Sequence, residues 1–373
     1  MRVVLLASAW LAVGCSASEL GDFVDVDAAG TPDTATSATV SSANDASSTV
    51  SAPDAPGDEQ DADLAPALTW TALDANIVEG DIVSIWGTGA ADVYVGTDMQ
   101  SVYLITNGFS MWTGVSAQVV GGGWGSDPQT VYAVGASAWL MQMGLSSGGG
   151  LFRYGGDGAW ASVAAGGFYS VWGSSAADVY LAGDTGVLHS VDGGSFANES
   201  SAGGSILSVW GSGPADVYAA TSSTLGTILH SAGDGDWQTV YTEAGVEAWA
   251  VWSSEPGDAY AIVVPTGVSN PPTHIVHSTK LQGWVSESVA PTPTTLVTLW
   301  GSGPNDVYAG GWHEDSAGRG GDLFHSTGDG RWTRVPLPGT PYDVRCVWGS
   351  SATNVYVGIF DAEEGAVLLQ GQP

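Results

Sequence analysis

One short stretch constrains this chain more than any other. Val209 to Ala220 reads VWGSGPADVYAA, and close copies of it recur along most of the 373 residues. Aligned on the tryptophan, they place Trp86, Trp124, Trp172, Trp210, Trp252, Trp300 and Trp348 at intervals of 38, 48, 38, 42, 48 and 48 residues. A period of this size implies units that cannot bury their apolar faces alone and do so by packing on their neighbours.

Each repeat holds four short apolar runs, here called a to d. In the fourth they are ILSVWG (Ile206 to Gly211), DVYAA (Asp216 to Ala220), TILHS (Thr227 to Ser231) and DWQTV (Asp236 to Val240). All are rich in β-branched, aromatic and small residues and are bounded by Gly, Pro, Ser or Asp, as short antiparallel strands are. Few alternate polar with apolar, which suits sheets covered on both faces. Seven such units predict an all-β chain, a seven-bladed β-propeller of four-stranded antiparallel blades. The seventh repeat stops after AVLLQ (Ala366 to Gln370) without a d run, whereas LTWTAL (Leu68 to Leu73) resembles a d run placed before the first a. The last blade is therefore expected to be closed by the N-terminal strand, with a lining the channel and d outermost.

GSGPAD then reads as the a–b turn, with glycines free to take positive φ and Pro214 pre-setting its own. Asp92, Thr130, Asp178, Asp216, Asp258, Asp306 and Asn354 start the b runs and are expected to hold the turn by bonding nearby backbone N–H groups. The repeated Trp and Tyr are read as packing between blades rather than as a cofactor site.

The ends divide the chain into three. Residues 1–15, MRVVLLASAWLAVGC, combine Arg2, an apolar run from Val3 to Val13 and Gly14-Cys15, the layout of a signal peptide. The Gly-Cys ending resembles the bacterial lipobox, which implies a lipidated Cys15 as the mature N-terminus. Ser16 after it, rather than Asp, implies an outer-membrane anchor, on the periplasmic or the surface side. Residues 16–66 are Ser, Ala, Asp, Thr and Pro with eleven acids and no Lys or Arg, a disordered, self-repelling tether. Residues 67–373 form the propeller. The whole chain has 39 acids, leaving 39 − 11 = 28 here against six basic residues, since Arg2 takes one of the seven. That charge disfavours nucleic acids and anionic headgroups, so the membrane is met through the lipid alone. Cys346 has no intrachain partner in the mature domain and is expected to be buried and inert.

Two further likenesses follow from the residues. HSTGDGRW (His325 to Trp332), HSAGDGDW (His230 to Trp237) and YGGDGAW (Tyr154 to Trp160) resemble the Asp-box turn of sialidase-like propellers, with one extra residue before the aspartate. Residues 67–373 resemble bacterial propeller lipoproteins with WGSGPxDVYAxG repeats, and more loosely photosystem assembly propellers. These likenesses imply a fold and say little about a ligand.

The b–c connections carry the variable segments: Ala136 to Gly148, Val264 to Thr273, Trp312 to Gly321 and Phe360 to Gly365. Variable loops on a rigid scaffold are where binding concentrates, so this face is the expected binding face. Candidate ligand contacts are the apolar tip Trp139, Met141 and Met143, and an aromatic platform with polar arms made of Trp312, His313, Glu314, Asp315 and Arg319. No metal or cofactor is expected; Asp361, Glu363 and Glu364 beside Glu314 and Asp315 are the one place where calcium could be held. His189, His230, His277 and His325 share one position in run c, with Arg153 in the second repeat, and read as structural. The match to G-x-S-x-G at Gly144 to Gly148 lacks its strand–turn–helix context. An arginine triad for a sialidase is not expected to assemble from Arg153, Arg319, Arg331, Arg334 and Arg345. The function expected is a monomeric binding or scaffolding module for a protein or glycan of the envelope. The alternatives are a carbohydrate lyase or hydrolase and an envelope assembly factor.

Overall fold

The computed structural model describes residues 67–73, 77, 80–99, 101–106, 109–113, 120–135, 149–156, 159–199, 205–268, 271–289 and 294–373. The signal-like segment, Cys15, the tether, the tip with Trp139, Met141 and Met143, and Gly144 to Gly148 lie outside these residues. Contacts divide the chain into Met1–Glu59 and Gln60–Pro373, and only the second is described below.

The described residues form an all-β propeller without helices. In the fourth repeat a is Ile206–Gly213, b is Asp216–Thr221, c is Ile228–Ser231 and d is Trp237–Tyr241, paired antiparallel in that order. The first, fifth and sixth repeats repeat this order, and the seventh has Thr69–Leu73 as its fourth strand. The second and third repeats depart from the expected pair of four-stranded blades. They form one seven-stranded sheet, because Trp160–Ser175 runs unbroken through 16 residues, pairing first with Gly149–Tyr154 and then with Asp178–Gly183. The d–a link there is Ala164-Ala165-Gly166-Gly167, with no proline and no turn-stabilising side chain to break the extended chain.

The b strands are buried along their length, as Thr130–Val134 and Asp216–Thr221 show, so both faces of the sheet are covered. Seven times the tryptophan of a lies directly across from the tyrosine of b: Trp86 from Tyr94, and so on to Trp348 from Tyr356. Each such tryptophan also reaches into the next repeat. A Cβ would lie 2.8 Å from Trp124 at Gly173, 2.6 Å from Trp172 at Gly211, 2.6 Å from Trp252 at Gly301 and 2.5 Å from Trp300 at Gly349. At Gly87 it would lie 2.4 Å from Trp348, which brings the seventh repeat against the first. None of these glycines has a positive φ, nor do Gly213 and Gly303 in the a–b turns, so the expected positive φ is not used there; the glycines after the tryptophans serve close packing, whereas Gly213 and Gly303 have open space around them.

The a strands neighbour one another in a closed circuit around a central channel. Hydroxyls two residues before the tryptophans lace them together. Ser170 Oγ donates to Val209 O (3.3 Å) and accepts from Val209 N (3.2 Å), while Ser208 Oγ accepts from Val251 N and Thr298 Oγ1 from Val347 N, both at 3.2 Å. Ser84 Oγ donates to Val120 O at 2.7 Å. At the rim, Trp70 stands edge-on to Tyr308 at 6.5 Å, as Trp237 does to Tyr180, Trp284 to Tyr218 and Trp332 to Tyr260. The N-terminal strand thus supplies the seventh repeat with the tryptophan of a d strand.

Candidate binding face

The side chains that recur around the ring are occupied with one another. Four repeats contain the same chain of bonds: Ser174, Ser212, Ser254 and Ser302 donate to Asp178, Asp216, Asp258 and Asp306. Each of these carboxylates also meets Nε2 of a c-strand histidine, at 2.6 Å for His189, 2.8 Å for His230, 3.3 Å for His277 and 2.8 Å for His325. The b-strand aspartates therefore bind side chains rather than the backbone N–H groups expected of them. Each imidazole lies against the b-strand tyrosine, with centroids 3.7 to 4.6 Å apart. A nucleophilic triad needs the imidazole between hydroxyl and carboxylate; here the carboxylate is in the middle, so the serine is not activated. In the seventh repeat Asn354 and Gln370 replace the Asp–His pair and keep the bond, Gln370 Nε2 donating to Asn354 Oδ1 at 2.8 Å and Asn354 to Ser350. Leu104 and Arg153 hold the same register position opposite Tyr94 and Tyr132.

His189 and His277 also engage Nδ1, the first at 2.7 Å from Glu199; Nδ1 of His277 stands 2.8 Å from Glu287, whose other oxygen accepts from Trp332 Nε1 at 2.8 Å. Burial works against its charge, but the bonds to Asp258 and Glu287 outweigh it and raise its pKa to about 9. In the c–d turn of the third repeat, N–H groups of Ser195 and Gly194 and the Ser190 hydroxyl hold the Asp192 carboxyl down at about 2. Its Ser190-x-Asp192 spacing is a sequence signal that the reading of the other three turns passed over. Cys346 is buried in the channel wall, and burial pushes its thiol up to about 12.

The b–c and d–a connections share the opposite end of the propeller from these turns, by the antiparallel order of the strands. Trp312 to Gly321 is not a loop: b runs to Asp315, c starts at Gly318, and the strands pair residue for residue through Glu314 and Arg319. Trp312 is buried against Val83 and Val297, so it is not an open platform. The Arg319 guanidinium lies over its ring at 4.3 Å and over Tyr342 at 5.0 Å. Nε and Nη2 of Arg319 both stand 2.5 Å from Asp343 Oδ1, and Nη1 stands 4.0 Å from Glu314. Arg345 joins the same aspartate at 3.4 Å and Asp81 at 2.7 Å, tying the seventh repeat to the first. Two arginines thus converge, but on a buried carboxylate of the chain itself.

Asp315 accepts from Ala317 N within its own turn. Asp361 accepts from the N–H groups of Glu363, Glu364 and Thr340; burial opposes its charge, and these bonds outweigh it and lower its pKa. Among the described residues no group of three or more His, Cys, Asp or Glu is placed to hold a metal ion. His313 bonds through Nδ1 to Asp322 at 2.6 Å, and Asp322 in turn meets Arg334 at 2.6 Å. The sequence reading missed the exposed apolar residues at this end: Met99 (64%), Leu225 (55%), Val268 (53%) and Tyr342 (39%). They lie in four different repeats at positions outside the shared pattern.

No family model matches the chain, and neither does any curated protein. Solved structures do. Virginiamycin B lyase from Staphylococcus aureus is similar with a TM-score of 0.63 at 10% identity, over 82% of this chain and 99% of that one. YCF48 bound to D1 peptide gives 0.57 at 13% identity, over 83% and 97%. The GH74 xyloglucanase from Xanthomonas campestris gives 0.56 at 13% identity, over 80% of this chain and 55% of the enzyme. At these identities the likeness is one of fold.

Proposed function

We propose that this chain is a lipoprotein, lipidated at Cys15 and anchored to the outer membrane. Its propeller is a non-catalytic binding or scaffolding module that presents the b–c face to a protein or glycan of the envelope. One observation carries the reading. The polar side chains common to the repeats are used up in Ser–Asp–His bonds, whereas the b–c and d–a connections of four repeats expose apolar residues outside the shared pattern, Met99, Leu225, Val268 and Tyr342, against Val191 and Leu281 in the c–d turns of the other end. YCF48, similar in fold, is found bound to D1 peptide, so a propeller of this general shape can hold a peptide.

The same reading takes the seven-stranded sheet as two blades sharing the strand Trp160–Ser175, giving seven blades with Thr69–Leu73 closing the last. The seven Trp–Tyr pairs and the circuit of a strands support it. The test is capture from envelope extract by the full chain and by a variant whose Ala136 to Gly148 and Trp312 to Gly321 segments are replaced by a two-residue turn such as Asp184-Thr185 of the third repeat. A partner held by the native chain alone supports the reading; equal capture by both contradicts it.

A further inference from the structure

An apolar groove and an excess of negative charge coincide where the sixth repeat passes into the seventh. Residues 335–342, VPLPGTPY, are the d–a connection there. Gly321, Val335, Pro336, Leu337 and Pro341 line a groove of about 500 Å3, and Tyr342 beside it is exposed. The three arginines of this corner are each held by carboxylates of the chain: Arg319 and Arg345 by Asp343, Arg345 also by Asp81, and Arg334 by Asp322. Neither b–c hairpin nor the connection carries another Lys or Arg, yet the hairpins expose Glu314, Asp315, Glu363 and Glu364. The exposed cations Arg153, Lys280 and Arg331 belong to a c strand and to c–d turns, away from this corner.

Resting on the binding-face reading, we propose that this groove docks a basic peptide segment. One apolar side chain enters between Val335, Leu337 and Pro341, and a neighbouring lysine or arginine meets Asp315, Glu363 and Glu364. Charge selects the sign of the partner, because an anionic segment would face these carboxylates within a domain that is acidic throughout. Among the described residues the acids do not gather closely enough to hold a metal ion. The long arm of a lysine or arginine reaches them from a residue whose neighbour is seated in the groove.

The test titrates the full chain, Leu337→Ser and the double variant Glu363→Gln with Glu364→Gln against synthetic dodecapeptides that repeat Lys-Leu-Ser, Glu-Leu-Ser or Lys-Ser-Ser. The Lys-Leu-Ser peptide is expected to bind about tenfold more tightly than either of the others, and each variant to bind it about three- to tenfold more weakly. Added salt should weaken binding by the native chain more than by the double variant. Glu363 and Glu364 bond Asp361 through their backbone N–H groups, so the glutamines keep that turn and report on the site even where Leu337→Ser fails to fold. Equal binding of the Lys-Leu-Ser and Glu-Leu-Ser peptides, unaltered affinity in the double variant, or no binding at millimolar concentration overturns the assignment. Retention of the envelope partner by the double variant but not by the loop-shortened chain would remove only this site and leave the face standing.

Discussion

At Gly87, Gly173, Gly211, Gly301 and Gly349 the glycine after the repeat tryptophan is a space kept for the ring of the preceding repeat; in the second repeat Gly123 takes the Trp86 ring and Gly125 faces Thr88. In the fifth repeat Ser253 stands there instead, and its hydroxyl donates to Asp216 of the repeat before at 3.1 Å. Gly211→Ala is expected to cost about 1–3 kcal/mol in urea unfolding, because a Cβ meets Trp172 and Asp216 O, each at 2.6 Å. Gly213→Ala, two residues on with open space around it, is expected to be nearly neutral. The sequence shows the glycine but not its cause, since Trp172 lies a whole repeat away. The Ser–Asp–His chain was half legible: its histidine column stood out, but the bond to Asp needs the register of b on c. His277 sets a pH dependence. Its folded pKa of about 9 lies above the ordinary 6.5, so its stabilisation is complete below about pH 6.5 and is lost as pH rises through about 9. Unfolding free energy is expected to fall by on the order of 3 kcal/mol from pH 6 to 10. His277→Gln should flatten that slope; an unchanged slope would place the titration elsewhere.

Strand positions were legible wherever Gly, Pro or Asp bounded an apolar run, as in Asp216–Thr221. Two segments were not. Ala164 to Gly167 has small residues that read as a break yet stay extended, and Trp312 to Gly321 has three glycines and charges that read as a loop yet pair up to the two-residue turn Ser316-Ala317. In the second, backbone pairing with a neighbouring strand overrides local propensity; in the first, Ala164 and Phe168 pair on either side of the unpaired Ala165 to Gly167. The N-terminal strand carries the prediction at this scale. Trp70→Ala removes a half-buried ring from the Tyr308 contact and is expected to cost about 2 kcal/mol by thermal or urea melting. Its effect should come through the seventh repeat, as loosened protection of Gly365–Gln372 in hydrogen exchange. Unaltered exchange there would contradict a closing role.

At the scale of the molecule, the shared Trp–Tyr and Ser–Asp–His contacts hold the repeats together. The long-range ties Trp348 to Gly87 and Arg345 to Asp81 join the first and seventh repeats at the channel side, while Thr69–Leu73 joins the seventh at its rim. In the function proposed, recognition is assigned to side chains at the b–c end, which packing does not dictate and which a repeat alignment therefore does not predict. The most direct measurement places a photo-crosslinking residue at Tyr342, exposed on that end, or at Leu281, 96% exposed in a c–d turn at the other end, and irradiates intact cells. Crosslinks to a discrete partner from position 342 and none from 281 are the predicted result. Discrete crosslinks from 281 with none from 342 would contradict the account.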